Sequence, residues 1–427
     1  MLKSGLTEDD IILQAFHWNL TKTCGTGTID GLDESWYKIL LDKLTQIKKA
    51  GITVLYLPPP WIDRSNWSSD EGYGGGEGYF WSDFDLNSRY GTKEELIYLV
   101  EVCHKNNIRV IVDIVLNHRD YKNMTEDIWS HPGSEWNVAR DNPDYNGRFE
   151  KGDFLYGDHT LNLSNPIVYN RILKALSELT HECKIDGFRW DFVFGIGIEI
   201  IKNLIRDIKN KNIISICEYW PIDESLFSEK ELLEIDPFVK YFGTNSEKRI
   251  IGFAKETSLA FLDMTFKHAI NMNNFAKIDS GLNLHNDYDI RSSAVTFIDN
   301  HDTGYSPNCK LGLDGQKQWP CNSENRISLY AYMLMTPGIP MIYWPDLFDF
   351  GYRNEIIDLV KTRRKLGINS TSMWVTIEKN INHIHGLIHN LSGKLLGELI
   401  ISDNIEKPNA DIVFPKVSIY FHKEVYE

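Results

Sequence analysis

The sequence predicts an α/β chain: a (β/α)8 TIM barrel with a subdomain inserted after its third strand and a small antiparallel β-sheet domain at its C-terminal end. Three observations carry this. Short apolar runs alternate with amphipathic helical stretches, the rhythm of a parallel sheet wrapped by helices. Four of those runs stop abruptly at charged residues, as barrel strands do at their C-terminal ends. After about residue 369 the helical period gives way to strands set between Gly and Asn turns.

Residues 11–16 form a short apolar run. Residues 34–50 place Trp36, Ile39, Leu40, Leu44 and Ile47 at helical spacing and stop at Gly51. Residues 53–57 are the next buried strand, ended by Pro58, Pro59 and Pro60. A helix over 96–105 leads to a strand over 109–115, whose unbroken β-branched core is typical of parallel sheets. From 116 to 163 the chain is polar, rich in Gly, Asn, Asp and aromatics, and too long for an ordinary βα loop. The rhythm resumes with a helix over 166–181. Strands follow at 186–190, 213–217, near 261–264, at 294–298 and at 340–343, and the last helix covers about 355–366. The expected division is barrel over 1–116 and 164–368, inserted subdomain over 117–163, and sheet domain over 369–427.

Hydrophobic residues make up 42% of the 427, enough for a sizeable core. With 45 basic and 60 acidic residues the net charge is −15, which argues against nucleic acid or an anionic membrane as partner. No run of 18 apolar residues exists, so no membrane span is expected. Residues 1–5 lack the apolar stretch of a signal peptide. The chain reads as cytoplasmic as it stands, or as the mature form of a secreted protein, and as a monomer. Six cysteines are no disulfide framework. Cys103, Cys183 and Cys217 read as small buried residues, while Cys309 and Cys321 flank one loop-like segment and are candidates for a pair. Trp61, Trp67, Trp81 and Trp220 lie in loop-like stretches, where flat apolar faces beside polar groups suit sugar rings.

Strand three ends in Asp113-Ile-Val-Leu-Asn117-His118, strand four in Gly187-Phe-Arg189-Trp-Asp191, strand five in Cys217-Glu218-Tyr-Trp220, and strand seven in Phe297-Ile-Asp299-Asn-His301-Asp302. One charged strand end is usually a solvated end or a cap. Four around one barrel mouth gather three carboxylates, an arginine and two histidines. Glycoside hydrolysis needs such a set: one carboxylate to attack the anomeric carbon, another to protonate the leaving oxygen and later activate water. Arg189 and Asp191, two apart on a strand, share a side, so the guanidinium is expected to keep Asp191 ionised. Glu218 must hold a proton near neutral pH, and Asp302 can help through like charge. His118 and His301 can donate to sugar hydroxyls.

At these four segments the sequence resembles the α-amylase family of glycoside hydrolases, over roughly residues 11–366. The stretches Leu13-Gln-Ala-Phe-His-Trp18, Gly74-Gly-Gly-Glu-Gly-Tyr-Phe-Trp81, Asn300-His-Asp-Thr-Gly-Tyr-Ser-Pro307 and Thr336-Pro-Gly-Ile-Pro340 are similar to maltotetraose-forming and plant-type members. The resemblance implies Asp191 as nucleophile, Glu218 as general acid/base and Asp302 as stabiliser of the oxocarbenium-like transition state. It implies Arg189, His118 and His301 around the cleaved ring, Tyr79 stacked beneath it, and Trp67 and Trp220 as outer platforms. It also implies a structural Ca2+ held by Asn117, the Gly195 carbonyl and the subdomain carboxylates Asp153 and Asp158. Where close relatives in the family read Ser-Asp-Leu-Asn this chain has His159-Thr-Leu-Asn162, which predicts a weakened or rearranged calcium site, a changed chain-end site, and endo-cleavage of starch-like α-glucans.

Two other functions fit the same barrel. A glucan transferase would use the same nucleophile and resolve the glycosyl-enzyme with a sugar hydroxyl. A non-catalytic binding barrel would be expected to lack one of the carboxylates, and all three are present.

Overall fold

The computed structural model describes residues 2, 4–20, 34–63, 77–119, 161, 163, 165–209, 212–219, 246–272, 274–278, 287–308, 312–316, 319–403 and 409–422. Eight parallel strands close a barrel: β1 (Ile12–Gln14), β2 (Val54–Leu57), β3 (Arg109–Ile114), β4 (Gly187–Trp190), β5 (Ile214–Cys217), β6 (Ala260–Leu262), β7 (Ala294–Phe297) and β8 (Ile339–Tyr343). They pair in sequence order around the ring, and β1 closes it by pairing Ile12 with Met341 of β8 and Val54 of β2. The expected barrel is therefore present, each strand within one or two residues of its place in the sequence. Barrel closure leaves no strand edge exposed, and the apolar runs are buried because helices cover them outside while side chains fill the interior.

Local chemistry sets the helix boundaries. The helix Trp36–Lys49 begins at Ser35, whose side chain accepts from the Lys38 N–H, and it buries the five predicted apolar residues. The next helix starts earlier than its apolar pattern suggests, at Lys93. Thr92 and Glu95 form a capping box there, satisfying two end groups before the first buried leucine, Leu96. The helix Arg353–Leu366 stops at Gly367, held at φ +70°.

The C-terminal sheet has five antiparallel strands: β9 (Met373–Lys379), β10 (His383–His389), β11 (Leu395–Ser402), β12 (Ile412–Phe414) and β13 (Val417–Phe421), in the order β9-β10-β11-β13-β12. Trp374 lies flat across Gly386, where a Cβ would sit 2.1 Å from its ring. Its ring also meets Tyr332 of the barrel helix Arg326–Met335 edge to face, with centroids 5.7 Å apart. That contact needs glycine at 386 and joins sheet to barrel. The inserted-subdomain expectation falls almost wholly on residues outside those described. Cys321 is a buried free thiol, and its candidate partner Cys309 lies outside the described residues. No helix among the described residues is long and apolar enough to cross a membrane.

Candidate active site

Arg189, Asp191, Glu218 and Asp302 lie at the C-terminal ends of their strands. Arg189 stands in β4 and is fully buried, at the centre of the others. Its Nη1 donates to Asp113 Oδ1 at 2.9 Å, to Asp113 Oδ2 at 3.1 Å and to Asp191 Oδ1 at 2.5 Å. Its Nη2 lies 3.1 Å from Glu218 Oε2 and 3.9 Å from Asp302 Oδ2. Four carboxylates from four strand ends thus face one guanidinium. A planar fork that stays charged is the side chain suited to that position.

The backbone aims the carboxylates. Glu218 follows β5, and its Oε2 also accepts from the Phe192 N–H at 2.8 Å. Phe192 is held at φ +37°, a left-handed conformation that costs free energy for a side chain of this bulk. That turn, directly after Asp191, points the amide at Glu218. Asp302 follows β7. Asn300 accepts through Oδ1 from the Asp302 and Thr303 N–H groups at 3.1 and 2.9 Å, which shapes the turn. Beneath it, buried Asp299 accepts from Lys267 Nζ and from Arg326 Nη2 at 2.7 Å, and Arg326 Nη1 reaches Asp346 at 2.6 Å. Two buried cations and two buried carboxylates balance there, fixing the base of the Asp302 turn.

The electrostatic balance differs from the sequence expectation. Burial lifts the Asp191 carboxyl well above the ordinary aspartate range. Arg189 opposes the lift, while Glu218, Asp113 and Asp302 add to it. One guanidinium offsets burial and three like charges only in part. Burial also lifts Asp302 to about 6, against the pull of Arg189. His301 is pushed the other way, to about 3, by burial and then by Arg189, so its ring is neutral.

The floor of the pocket is aromatic. Tyr79 Oη donates to Asp113 Oδ2 at 2.8 Å and lies 2.6 Å from His301 Nε2. The Tyr79 and His301 rings stack at 5.3 Å, with Trp18 5.0 Å from Tyr79 and 5.8 Å from His301. His118 is buried against Phe80 at 5.1 Å. The expected platforms Trp67 and Trp220 are outside the described residues. Three contributors carried no role in the sequence reading. Asp113 was legible as a charge inside an apolar strand, and Gln14 as the polar residue of β1. Tyr56, whose Oη donates to Asp113 at 2.5 Å, looks like core in the sequence.

Of the four expected calcium ligands, Asn117 and Gly195 come together. A Cβ at Gly195 would sit 1.9 Å from Asn117 Oδ1, so only glycine lets the side-chain oxygen approach that backbone. Asp153 and Asp158 are outside the described residues, and no cluster of three or more metal-binding His, Cys, Asp or Glu exists among the described ones. The described part offers one neutral side-chain oxygen and one backbone carbonyl, both fitting a hard cation that takes 6–8 oxygens. A separate hollow lined by His104, Lys184, Asp186 and Asn212 opens at the opposite, N-terminal ends of the strands, and its His104–Asp186 pair is already closed at 2.8 Å.

Residues 21–213 match the α-amylase family through its catalytic domain. The chain carries an α-amylase catalytic domain. It is 32% identical over 368 residues to the glucan 1,4-alpha-maltotetraohydrolase of Stutzerimonas stutzeri, covering 85% of this chain and 63% of that protein. It is 29% identical over 406 residues to the chloroplastic alpha-amylase 3 of Arabidopsis thaliana, covering 89% of this chain and 40% of that protein. The chain thus spans less than two thirds of the length of these relatives. An Anoxybacillus alpha-amylase structure superposes with a TM-score of 0.65 at 20% identity, covering 94% of this chain and 88% of that one. A three-domain cyclomaltodextrin glucanotransferase superposes at 0.63 and 21%, covering 93% and 88%. At such identities these structures speak for the α-amylase fold. The arginine-centred carboxylates sit where that fold's barrel opens.

Proposed function

We propose that this chain hydrolyses α-1,4-glucosidic bonds in starch, glycogen or maltooligosaccharides with retention of configuration. The observation that carries the reading is four carboxylates from separate strands, Asp191, Glu218 and Asp302 among them, facing one buried guanidinium. In the first step an Asp191 oxygen bonds to the anomeric carbon as the glycosidic C–O bond breaks, and the Glu218 proton passes to the leaving oxygen. In the second, Glu218 takes a proton from water, whose oxygen bonds to the anomeric carbon and releases Asp191. Four clustered carboxylates favour retention of a proton. Against the upward push of burial, the shortest guanidinium contact favours Asp191 over Glu218 as the charged member and leaves the proton for Glu218. Asp302 offers charge to the oxocarbenium-like centre, and the Tyr79 ring supplies the apolar face beneath the sugar. His118 and His301 flank the cleaved ring, and Trp67 and Trp220 serve as outer platforms.

A Ca2+ ion would be held by Asn117 Oδ1 and the Gly195 carbonyl, with Asp153 and Asp158 from the segment over 117–163. Its contribution would be structural, tying that segment to the end of β4. The relatives' names support an α-glucan substrate, and His159-Thr-Leu-Asn162 favours endo-cleavage.

The test is a time course on amylopectin, maltoheptaose and maltotriose with the unaltered chain, Asp191→Asn and Glu218→Gln. Expected are first-formed α-anomers, a mixed product series, and rate losses of about 10²–10⁴-fold for Glu218→Gln and on the order of 10⁴-fold or more for Asp191→Asn. Full starch hydrolysis by either variant, or β-anomeric first products, overturns the assignment. Longer chains from maltotriose would make the enzyme a transferase instead, and a single early short product would make it exo-acting.

A further inference from the structure

Gln14, the polar residue of β1, lies fully buried beneath the pocket. Its carboxamide makes two contacts with one residue. Oε1 accepts from the His301 backbone N–H at 3.2 Å, and Nε2 faces His301 Nδ1 at 2.6 Å. A backbone N–H can only donate, so the oxygen end of the amide must meet it. The amide nitrogen has hydrogens and no acceptor capacity, so Nδ1 must accept. The proton of the neutral imidazole is then on Nε2. That nitrogen faces Tyr79 Oη at 2.6 Å and Asp302 Oδ2 at 3.4 Å. Tyr79 gives its own proton to Asp113, so it accepts from His301. One direction runs through every link: Gln14 to His301, His301 to Tyr79, Tyr79 to Asp113, and Asp113 rests on Arg189.

We propose that Gln14 is a positioning residue that locks His301 as the neutral Nε2–H tautomer and aims that hydrogen at Tyr79 and the Asp302 carboxylate. Its catalytic meaning rests on the hydrolytic reading above; the tautomer itself does not. The charged and titratable groups around the ring are Asp302 on its own loop, Tyr79 from the loop after β2, Asp113 on β3 and Arg189 on β4, with Phe16 and Trp18 as apolar walls. An imidazolium would set Nδ1–H against the Gln14 amide hydrogens at 2.6 Å, donor against donor. The arrangement gives Asp302 a hydrogen-bond donor without a neighbouring imidazolium charge. Its negative charge stays available for the positive centre that develops at the anomeric carbon.

The experiment uses the full chain, Gln14→Glu and Gln14→Met, with the His301 ring nitrogens read by long-range nitrogen–proton NMR and assigned with His301→Gln. The unaltered protein is expected to show a protonated Nε2 and an unprotonated Nδ1 at about pH 7. In Gln14→Glu the new carboxylate accepts from Nδ1–H. His301 should then titrate about 1–3 units higher, starting from about 3, and the acid limb of kcat/KM on maltoheptaose should rise with it. A merely structural role for Gln14 would not move a histidine titration. Gln14→Met, which keeps bulk and drops both contacts, is expected to give a tautomer mixture. The proposal is overturned by Nδ1–H or imidazolium in the unaltered protein. It is equally overturned by a single unchanged Nε2–H signal in whichever variant folds with a cooperative melt. Should the tautomer behave as expected in a chain that cleaves no maltoheptaose, the positioning role stands and the hydrolytic reading falls.

Discussion

Replacing Arg189 with methionine removes the cation and keeps much of the bulk. The guanidinium is fully buried and meets Asp113 and Asp191 within 3.1 Å, with Glu218 at 3.1 Å and Asp302 at 3.9 Å. Breaking a buried pair from one side costs about 3–5 kcal/mol, because the other charge stays in a low-dielectric place unpaired. Unfolding entropy of about 2.1 cal/mol/K per residue, taken over 427 residues, gives about 0.9 kcal/mol/K. The melting midpoint should therefore fall by about 3–6 °C near pH 8. The sign of the pH dependence follows from the carboxyls. Asp191 and Asp302 already sit above the ordinary 3.8, and loss of Arg189 lifts them further. A raised carboxyl favours the folded state fully below its unfolded value and withdraws that support as pH rises through its folded value. The deficit of Arg189→Met should thus narrow as pH falls toward about 4. Scanning calorimetry of both proteins at pH 8 and pH 5 measures it. An equal deficit at both pH values, or one under about 1 °C at pH 8, would refute the view that these carboxylates lean on Arg189.

Asp302→Asn should stabilise the chain while harming turnover. Its carboxyl is lifted from 3.8 to about 6, so its cost is absent below the first value and fully present above the second. Two units amount to about 3 kcal/mol, and solvent reaching a third of the side chain reduces this to about 1. A midpoint gain of about 1 °C at pH 8 and none at pH 4 is expected, with kcat/KM on maltoheptaose lowered about 100-fold or more. Gly195→Ala drives a methyl to 1.9 Å from Asn117 Oδ1 and should cost about 1–3 kcal/mol, with a smaller rise in midpoint on adding calcium after chelation than the unaltered chain shows. An unchanged melt with an unchanged calcium response would remove Asn117 and Gly195 from the proposed site.

The barrel was legible because its signal is local and repeated. Each strand is an apolar run, and buried parallel strands need nothing more specific than that. The helix Pro166–His181 carries Asn165 as cap and Pro166 at its first turn, so its limits could be read residue for residue. The start at Lys93 was misplaced because a capping box extends a helix beyond its buried stripe. The short strand β12 has no buried alternation to announce it, and its place comes from pairing with β13. In the site, Arg189 and Asp191 were legible through period-two geometry, whereas their charge balance was not. How far burial outweighs one guanidinium depends on Asp113, Glu218 and Asp302 arriving from other strands, and sequence spacing carries no such sum. Gln14 was visible as a polar residue in an apolar run, but its partner is 287 positions away.

That charge balance has a direction. Catalysis gains only from interactions stronger in the transition state than in the ground state. A site with four carboxylates and one guanidinium is poorly satisfied by its own groups, and burial pushes Asp191 and Asp302 upward. A neutral sugar does little to relieve it. The positive anomeric centre of a glycoside transition state does, and Asp302, the carboxylate farthest from Arg189 at 3.9 Å, is the least compensated by it. Neutral His301 follows the same logic, since an imidazolium there would discharge Asp302 before substrate arrived. The buried Lys267, Asp299, Arg326 and Asp346 beneath the loop are balanced two against two, so rigidity there does not consume the excess above. On this reading the folded state gives up stability at pH 7 to hold an electrostatic field that is satisfied only while the glycosidic bond is breaking.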